Sequence, residues 1–347
     1  MLVLADLGGA FSGKGKQAVA PAAGPSTAAK APAGSTTAAA PTSKAPSTGT
    51  RPATSSTPPP TVASTPVHKV TVAEATWTLP NTLSRMVVLA IPGGLEMMGG
   101  LLDGDTSSAL VRLVALPSGK AALDARLSVG VHAAAGASYQ GHLFVYGGTG
   151  NGTVATVQRI ARGHVAVAAG ALPAPRAGMV EAQAGGKVVL LGGYDGTNAL
   201  ADVLVSSNGT TFTVLTRLPV PVRYPAVAVR GNDVYLYGGD VAGKPSDVIQ
   251  KVDVAAGTAT LAGHLPQPLS HEAALVFGST VWLAGGTSTS GTSAALFRSD
   301  DAVTFVRDGV LPEARTDAGV AMVGGVGYLL GGENGSRLKS VVLIKPG

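Results

Sequence analysis

The sequence of 347 residues contains no cysteine. This absence excludes disulfide bonds, thiolate metal sites and cysteine nucleophiles, and it leaves the redox compartment undetermined. Charged residues make up only 13% of the chain and aromatic residues only 4%. By contrast, the chain has 48 glycines and 23 prolines, and 45% of its residues are hydrophobic. Such a composition indicates many turns and short apolar strands and is not typical of a helical bundle.

The formal net charge of +5 is concentrated near the N-terminus. Residues 1–66 contain five basic residues and a single acidic one: Lys14, Lys16, Lys30, Lys44, Arg51 and Asp6. The remainder of the chain is therefore close to neutral. Because nucleic-acid binding depends on a concentration of positive charge, we expect no nucleic-acid partner for the folded part.

The N-terminal region divides into two segments by composition. Residues 1–13, MLVLADLGGAFSG, form a short apolar leader that could be the remnant of an export or membrane segment, although it lacks a basic n-region. Residues 14–66 are rich in Pro, Ala, Ser and Thr, and we expect a disordered linker. Such stalks predict an extracytoplasmic protein, secreted or held at a membrane or cell wall; a passive tail is the alternative.

A six-fold repeat occupies residues 67–347. Its marker is a diglycine preceded by a short apolar strand, and successive diglycines are 45 to 48 residues apart: Gly99-Gly100, Gly147-Gly148, Gly192-Gly193, Gly238-Gly239, Gly285-Gly286 and Gly331-Gly332. Periods of this length indicate propeller blades. The sequence thus predicts an all-β, six-bladed propeller of four-stranded antiparallel blades. Because the chain ends one strand after the last diglycine, we expect the strand Val70–Leu79 to complete the last blade and close the ring.

These repeats resemble the Kelch repeat family of β-propellers, of the bacterial, extracytoplasmic type. The resemblance rests on the apolar strand into Gly-Gly, the hairpin that follows, a Leu-Pro at the end of most fourth strands, and an Arg or His that opens the next repeat. It covers about Val70 to the C-terminus. The Tyr and Trp that follow the diglycine in typical Kelch repeats are replaced here by small aliphatic residues.

The candidate binding residues are the polar side chains that open each innermost strand, 14 to 16 residues before the diglycines: Arg85, His132, Arg176, Arg223, His271 and Arg315. The resemblance implies that this level forms one mouth of the central channel, where ligands and partner peptides bind. Their donors could recognise carboxylates, phosphates or sugar hydroxyls. The alternative is a framework role, in which each side chain binds the carbonyl groups of the loop beneath it.

No catalytic, metal or cofactor site is predicted. The stretch Gly8 to Lys14 fits the start of a phosphate-binding loop, but Gly15 stands where a magnesium-binding hydroxyl is needed. The six histidines show no ligand spacing, and the copper site of galactose oxidase-like Kelch enzymes requires a cysteine. The sequence therefore favours a non-enzymatic, monomeric binding or scaffold module for a protein or glycan partner.

Two other functions stay open at this point. One is the sensor domain of a membrane-anchored receptor or kinase. The other is a glycan-active hydrolase or lyase, which is disfavoured because sugar chemistry usually needs a pair of carboxylates and Asp317 is the nearest candidate.

Overall fold

The computed structural model describes residues 65–347, so the predicted leader and residues 14–64 of the predicted linker lie outside the described residues. The described part consists of short antiparallel strands joined by turns. No helix among these residues has the length and apolar character needed to cross a membrane.

The strands follow the sequence repeat. The N-terminal strand and the first repeat comprise β1 (Val70–Glu74), β2 (Val87–Ile91), β3 (Gly94–Met98), β4 (Leu101–Leu102), β5 (Thr106–Ser107), β6 (Leu110–Ala115) and β7 (Lys120–Arg126). The second repeat comprises β8 (Ala135–Tyr139), β9 (His142–Tyr146), β10 (Thr149–Gly150), β11 (Gly152–Thr153), β12 (Thr156–Arg159) and β13 (Val167–Ala171). The third comprises β14 (Val180–Ala184), β15 (Lys187–Leu191), β16 (Asp202–Ser206) and β17 (Thr213–Arg217).

The fourth repeat comprises β18 (Ala226–Arg230), β19 (Asp233–Tyr237), β20 (Asp240–Val241), β21 (Lys244–Asp253) and β22 (Thr258–Ser270). The fifth comprises β23 (Ala273–Phe277), β24 (Thr280–Ala284), β25 (Thr287–Ser288), β26 (Gly291–Thr292), β27 (Ala295–Ser299) and β28 (Val306–Val310). The sixth comprises β29 (Gly319–Val323), β30 (Val326–Leu330) and β31 (Val341–Pro346).

The molecule is an all-β propeller with four-stranded antiparallel blades, but the prediction of six such blades is wrong. Five sheets have four strands: β2-β3-β6-β7, β8-β9-β12-β13, β14-β15-β16-β17, β23-β24-β27-β28 and β29-β30-β31-β1. The fourth repeat instead belongs to a seven-stranded sheet, because β22 stays extended to its end, where Leu269 and Ser270 pair with Ser288 and Thr287 of the next repeat.

The first strand of the described residues pairs with the last. β1 runs antiparallel to β31, with Val70 opposite Pro346 and Glu74 opposite Val342. The strand is shorter than the predicted Val70–Leu79. Beyond it, Leu79 is buried, and Trp77 packs so closely over Gly119 that a Cβ there would lie 2.0 Å from the indole.

The diglycines join each repeat to the next one. The N–H of the second glycine donates to a carbonyl in the loop of the following repeat, as Gly193 does to Val222 at 2.8 Å, and Gly332 does to Leu83 of the first repeat at 2.9 Å. A Cβ on the first glycine would collide with the same carbonyl oxygen, at 2.4 Å from Val222 in the case of Gly192. Only glycine permits this approach, and all twelve marker glycines have positive φ.

The hydrophobic core is divided among the contacts between consecutive repeats. Phe144, for example, packs with Leu190 and Leu204 of the third repeat, while Tyr328 packs with Leu95 and Val114 of the first. The first strands of the repeats (β2, β8, β14, β18, β23 and β29) contact one another in turn, and β29 contacts β2. These six strands therefore surround the central channel.

Candidate functional site at the channel mouth

One residue of each repeat, just before the first strand, adopts a left-handed backbone conformation: Arg85, Ala133, Gly178, Tyr224, His271 and Asp317, with φ between 51° and 62°. The backbone N–H of each donates to the carbonyl of its counterpart in the preceding repeat, at distances from 2.6 to 3.2 Å, and Arg85 donates to Asp317. Non-glycine residues seldom hold this conformation unless the surroundings impose it. We call these six residues the mouth ring, because they lie where the first strands enter the channel.

The predicted binding residues do not all belong to the mouth ring. Arg85 and His271 are members, whereas His132 and Arg223 precede the ring residue of their repeats by one position and Arg176 and Arg315 by two. The left-handed conformation of the ring residue turns the chain, so side chains one or two positions before it have different surroundings from those of the ring residue.

Arg176 and Arg315 lie inside the protein, so their expected place at the mouth is wrong. Each is only 1% exposed. Arg176 Nη1 donates to the carbonyl of Gly192 at 3.2 Å, and Arg315 Nη1 donates to that of Gly331 at 3.1 Å. Burial lowers the pKa of both guanidinium groups. These two side chains bind the diglycine carbonyls of their own repeats, which is the framework role.

Arg223 and His132 lie beside the mouth ring and have partners there. Arg223 donates from Nε and Nη2 to Asp240 Oδ2 at 3.1 and 2.9 Å, and its guanidinium carbon lies 4.7 Å from the ring centre of Tyr194. His132 Nδ1 lies 2.8 Å from the hydroxyl of Ser107. Burial, together with the positive charges of Arg85 and Arg337, lowers the pKa of His132.

The centre of the mouth is formed by Tyr224, His271, Asp317 and Arg85. The rings of Tyr224 and His271 are stacked, with their centres 4.1 Å apart and 21° between their planes. His271 Nδ1 lies 2.7 Å from Asp317 Oδ1, and Arg85 Nη2 lies 3.3 Å from Asp317 Oδ2. Burial alone would raise the pKa of Asp317, but the hydrogen bond from His271 and the charge of Arg85 lower it.

Asp317 is therefore ionised and accepts from both neighbours, so that Nδ1 of His271 carries the proton. This arrangement leaves Nε2 of His271 as the ring nitrogen that can contact a ligand. In the neutral imidazole that atom is an acceptor, and in the protonated form it is a donor.

Acidic side chains neutralise the basic ones around the mouth. Arg85 Nε lies 3.6 Å from Glu333 Oε1, which also accepts from the hydroxyl of Ser84 at 2.6 Å. Burial lowers the pKa of Arg85, but Asp317 and Glu333 together raise it above its ordinary value. Arg337 forms an ion pair with Asp105. The mouth is thus a mixed-charge surface rather than the basic funnel expected from the sequence.

Sequence reasoning missed Tyr224, Asp240 and Glu333. The last two directly follow a diglycine, and that position forms a backbone bridge to the residue before the mouth ring, as Asp240 does to Arg223 and Glu333 does to Thr316. The residue after each diglycine was therefore the signal that could have located them.

Two connected cavities lie along the channel. The upper one, about 130 Å³, is lined by Arg85, Tyr224, His271, Glu272 and Asp317 together with apolar groups. The lower one, about 290 Å³, lies among the first strands and is lined mainly by aliphatic side chains and by Glu181. Met86, Ala134 and Met179 line both, so the lower cavity continues from the upper.

Two carboxyl groups along these cavities lack hydrogen-bond partners. Neither carboxyl oxygen of Glu272 has a partner in the described residues, and the same is true of Glu181 Oε1. Burial raises the pKa of each to about 8. At neutral pH both are therefore mostly carboxylic acids, and ionising either one in place is unfavourable. Within residues 65–347, no group of three or more His, Asp or Glu side chains is arranged to hold a metal ion.

Comparisons with known proteins support the fold alone. No protein-family model matches the sequence, and no curated protein is significantly similar to it. A solved structure titled "Structure of YjhT" superimposes with a TM-score of 0.68, over 78% of this chain and 96% of that one, with 14% sequence identity. At this identity the likeness shows that the two chains share a β-propeller fold.

Proposed function

We propose that this protein is a non-enzymatic binding module that recognises a protein or glycan partner at the mouth ring. The observation that carries the proposal is the stacked pair of Tyr224 and His271, which stands above a cavity between Arg85 and Asp317. An aromatic surface with fixed polar neighbours is a usual centre for partner recognition, because it offers large contact area at small entropic cost.

The size of the upper cavity favours the insertion of a single group of the partner. Its volume of about 130 Å³ leaves room for one side chain or a group of similar size above the lower cavity of about 290 Å³. The paired charges around it, such as Arg85 with Glu333 and Arg223 with Asp240, would act on specificity and association rate more than on affinity. A protein segment with one protruding side chain fits these features better than an oligosaccharide.

The glycan-active alternative has one feature in its favour and one against it. His271 oriented by Asp317 is an arrangement used for general bases. However, Asp317 and Glu333 are engaged by Arg85, so that of the two acidic residues lining the upper cavity only Glu272 is unpartnered among the described residues, whereas glycosidases use a pair of carboxyl groups that flanks the sugar bond. In the sensor alternative the same mouth binds the ligand, and the propeller is one domain of a membrane-anchored receptor or kinase.

The proposal includes a Kelch-like propeller whose ring is closed. The cycle of hydrogen bonds through the mouth ring supports it, since the last bond joins Asp317 to Arg85. The pairing of β1 with β31 supports closure by the N-terminal strand, which would leave no unpaired strand edge between the last and first repeats.

The described chain begins beside the fifth repeat of the propeller. Pro66 bridges to Gly278, and the indole N–H of Trp282 donates to the carbonyl of Val67 at 3.2 Å. Gly278 directly follows β23, whose other end lies at the mouth, so residues 66 and 67 lie at the end of the channel opposite to the mouth. The composition of residues 14–66 is what supports a secreted or surface-held protein.

The test is a comparison of two tyrosine variants at opposite ends of the channel. Proteins and glycans of the cell envelope are captured with the full chain, and each candidate is then purified and titrated by calorimetry. Tyr224→Ala should weaken binding at least about tenfold, as expected for a central aromatic contact. Tyr139 lies at the end of β8, on the side of the channel opposite to the mouth. Tyr139→Ala should therefore leave the affinity unchanged. Equal affinities for both variants would reject the mouth as the binding site.

A further inference from the structure

The wall of the lower cavity contains one acidic side chain at a position that is otherwise apolar. Glu181 lies three residues after its mouth-ring residue. The corresponding residues of the other repeats are Val88, Gly136, Val227, Ala274 and Val320. All but Ala274 line the same cavity as Glu181. A charge-bearing group in such surroundings is unfavourable for folding, and its presence calls for a partner.

The protein itself does not fully satisfy the carboxyl group of Glu181. Oε1 is shielded from solvent and has no hydrogen-bond partner in the described residues. Burial raises the pKa of Glu181 to about 8, and the neighbouring amide of Gln183 offsets this only in part. The titratable group shown near it is the Tyr146 hydroxyl of the second repeat, which is also unpartnered and whose pKa is raised by burial and, to a lesser degree, by the charge of Glu181. This group brings no positive charge.

The unsatisfied atoms below the mouth are therefore mainly oxygen atoms that can accept hydrogen bonds once the carboxyl group ionises. The surrounding walls are aliphatic and include Met86, Met179 and Val180. A ligand that suits both features has a cationic donor at one end and a short hydrocarbon stem. A cationic group that must fit beside one carboxyl group between aliphatic walls is better suited as a compact ammonium than as the larger, planar guanidinium.

We propose that the channel binds an alkylammonium group, with the ammonium at Glu181 and the stem between Met86 and Met179. The group is either a free amine or a lysine side chain of the partner, and the lysine case rests on the function proposed above. Three residues of extended strand separate Glu181 from the mouth ring, a distance of about 10 Å. A slender chain can enter through the upper cavity, which shares its walls with the lower one.

Binding at this site must depend on pH. The empty site holds a carboxylic acid below about pH 8, whereas the bound ammonium requires the carboxylate, so binding releases one proton. The apparent affinity should rise about tenfold per pH unit up to about pH 8 and level off above it. The ammonium group itself keeps its charge in this range, since its own pKa is about 10.4.

In the test, n-butylammonium is titrated into the full-length protein at pH 6.5, 7.5 and 8.5, and calorimetry measures the dissociation constant at each pH. At pH 8.5 we expect a dissociation constant on the order of 1 mM, within the range open to so small a ligand. Glu181→Gln should weaken binding at least about tenfold and abolish its pH dependence. Glu96→Gln is the matched control, since it removes a buried carboxyl group of raised pKa that lines neither cavity, and it should change binding less than about twofold.

Glu181→Val provides a second variant should Glu181→Gln fail to fold, because three other repeats carry valine at this position. Equal binding of n-butylammonium and 1-butanol, or unchanged binding in both Glu181 variants, would overturn the proposal. A short peptide with one internal lysine separates the two sources: competition with n-butylammonium indicates a lysine side chain, and its absence indicates a free amine. The Tyr224→Ala result tests the mouth as a partner site independently, so each idea can fail alone.

Discussion

Oε2 of Glu96 accepts a hydrogen bond from Arg162 Nη2 at 3.4 Å across the boundary between the first and second repeats. Glu96 occupies the strand position at which other repeats place buried aromatic or aliphatic side chains such as Phe144 and Trp282, and it is 0% exposed. Asp124 lies close to both, with Oδ2 3.7 Å from Arg162 Nε. A shared ion-pair network thus replaces hydrophobic packing at this one boundary between repeats.

This replacement should make the stability of the protein depend on pH. Burial, followed by the negative charge of Asp124, raises the pKa of Glu96 to about 7. Its unfolded-state value is about 4.3, so the native state binds more protons between these two values and the free energy of unfolding falls as pH rises through them. We expect a loss on the order of 3 kcal/mol from this group, measured by urea denaturation from pH 4.5 to 7.5.

Glu96→Gln is the control for that prediction. Glutamine keeps the shape of the protonated side chain and does not ionise, so the decline between pH 4.5 and 7 should become shallower. Glu181 and Glu272, whose pKa values are raised to about 8, contribute to the same decline from about pH 4.3 and continue it toward pH 8, so the variant should reduce the slope without abolishing it. An identical pH profile in the variant would show that Glu96 is not the group responsible.

The diglycines should tolerate no side chain at their first position. Gly192 and Gly231 have nearly equal φ of 63° and 64°, but only the Cβ of Gly192→Ala would collide, at 2.4 Å from the carbonyl oxygen of Val222. Gly231→Ala meets nothing within 4 Å. In urea denaturation, Gly231→Ala should lower the free energy of unfolding by about 1 kcal/mol, because of its left-handed backbone. Gly192→Ala should lower it by at least about 3 kcal/mol. Equal costs would mean that backbone conformation, and not the contact between repeats, explains the glycine.

The N-terminal strand should be needed for folding. Removal of residues 70–79 takes away β1, exposes the edge of β31 and removes Trp77 and Leu79 from the hydrophobic cluster that contains Leu83. We expect the melting temperature to fall by more than about 10 °C, or the protein to aggregate through the open strand edge. Removal of residues 40–49 from the predicted linker shortens the chain equally and should leave the melting temperature unchanged. A 70–79 deletion that melts like the full chain would contradict closure by β1.

The sequence predicted the β-propeller, because the diglycines mark a contact that only glycine allows and therefore recur at a regular interval. It did not predict the seven-stranded sheet, since nothing in Leu269 and Ser270 indicates pairing with the next repeat. The site was predicted less well for a geometric reason. Two mouth-ring positions are occupied by Ala133 and Gly178, which have no polar side chain. The sequence prediction therefore chose the nearby polar residues His132 and Arg176 instead. Arg176 lies two residues before the ring position, and its side chain is inside the protein.

That offset gives opposite expectations for two arginines that looked equivalent in the sequence. Arg176→Ala leaves the carbonyl of Gly192 without its donor and creates a buried space at a contact between repeats. It should therefore destabilise the protein by about 2 to 4 kcal/mol in urea denaturation. Arg223 is 30% exposed and paired with Asp240 at the mouth, so Arg223→Ala should cost less than about 1 kcal/mol. Because it borders Tyr224, the same substitution should weaken partner binding. A large loss of stability with Arg223→Ala would instead assign that arginine to the framework.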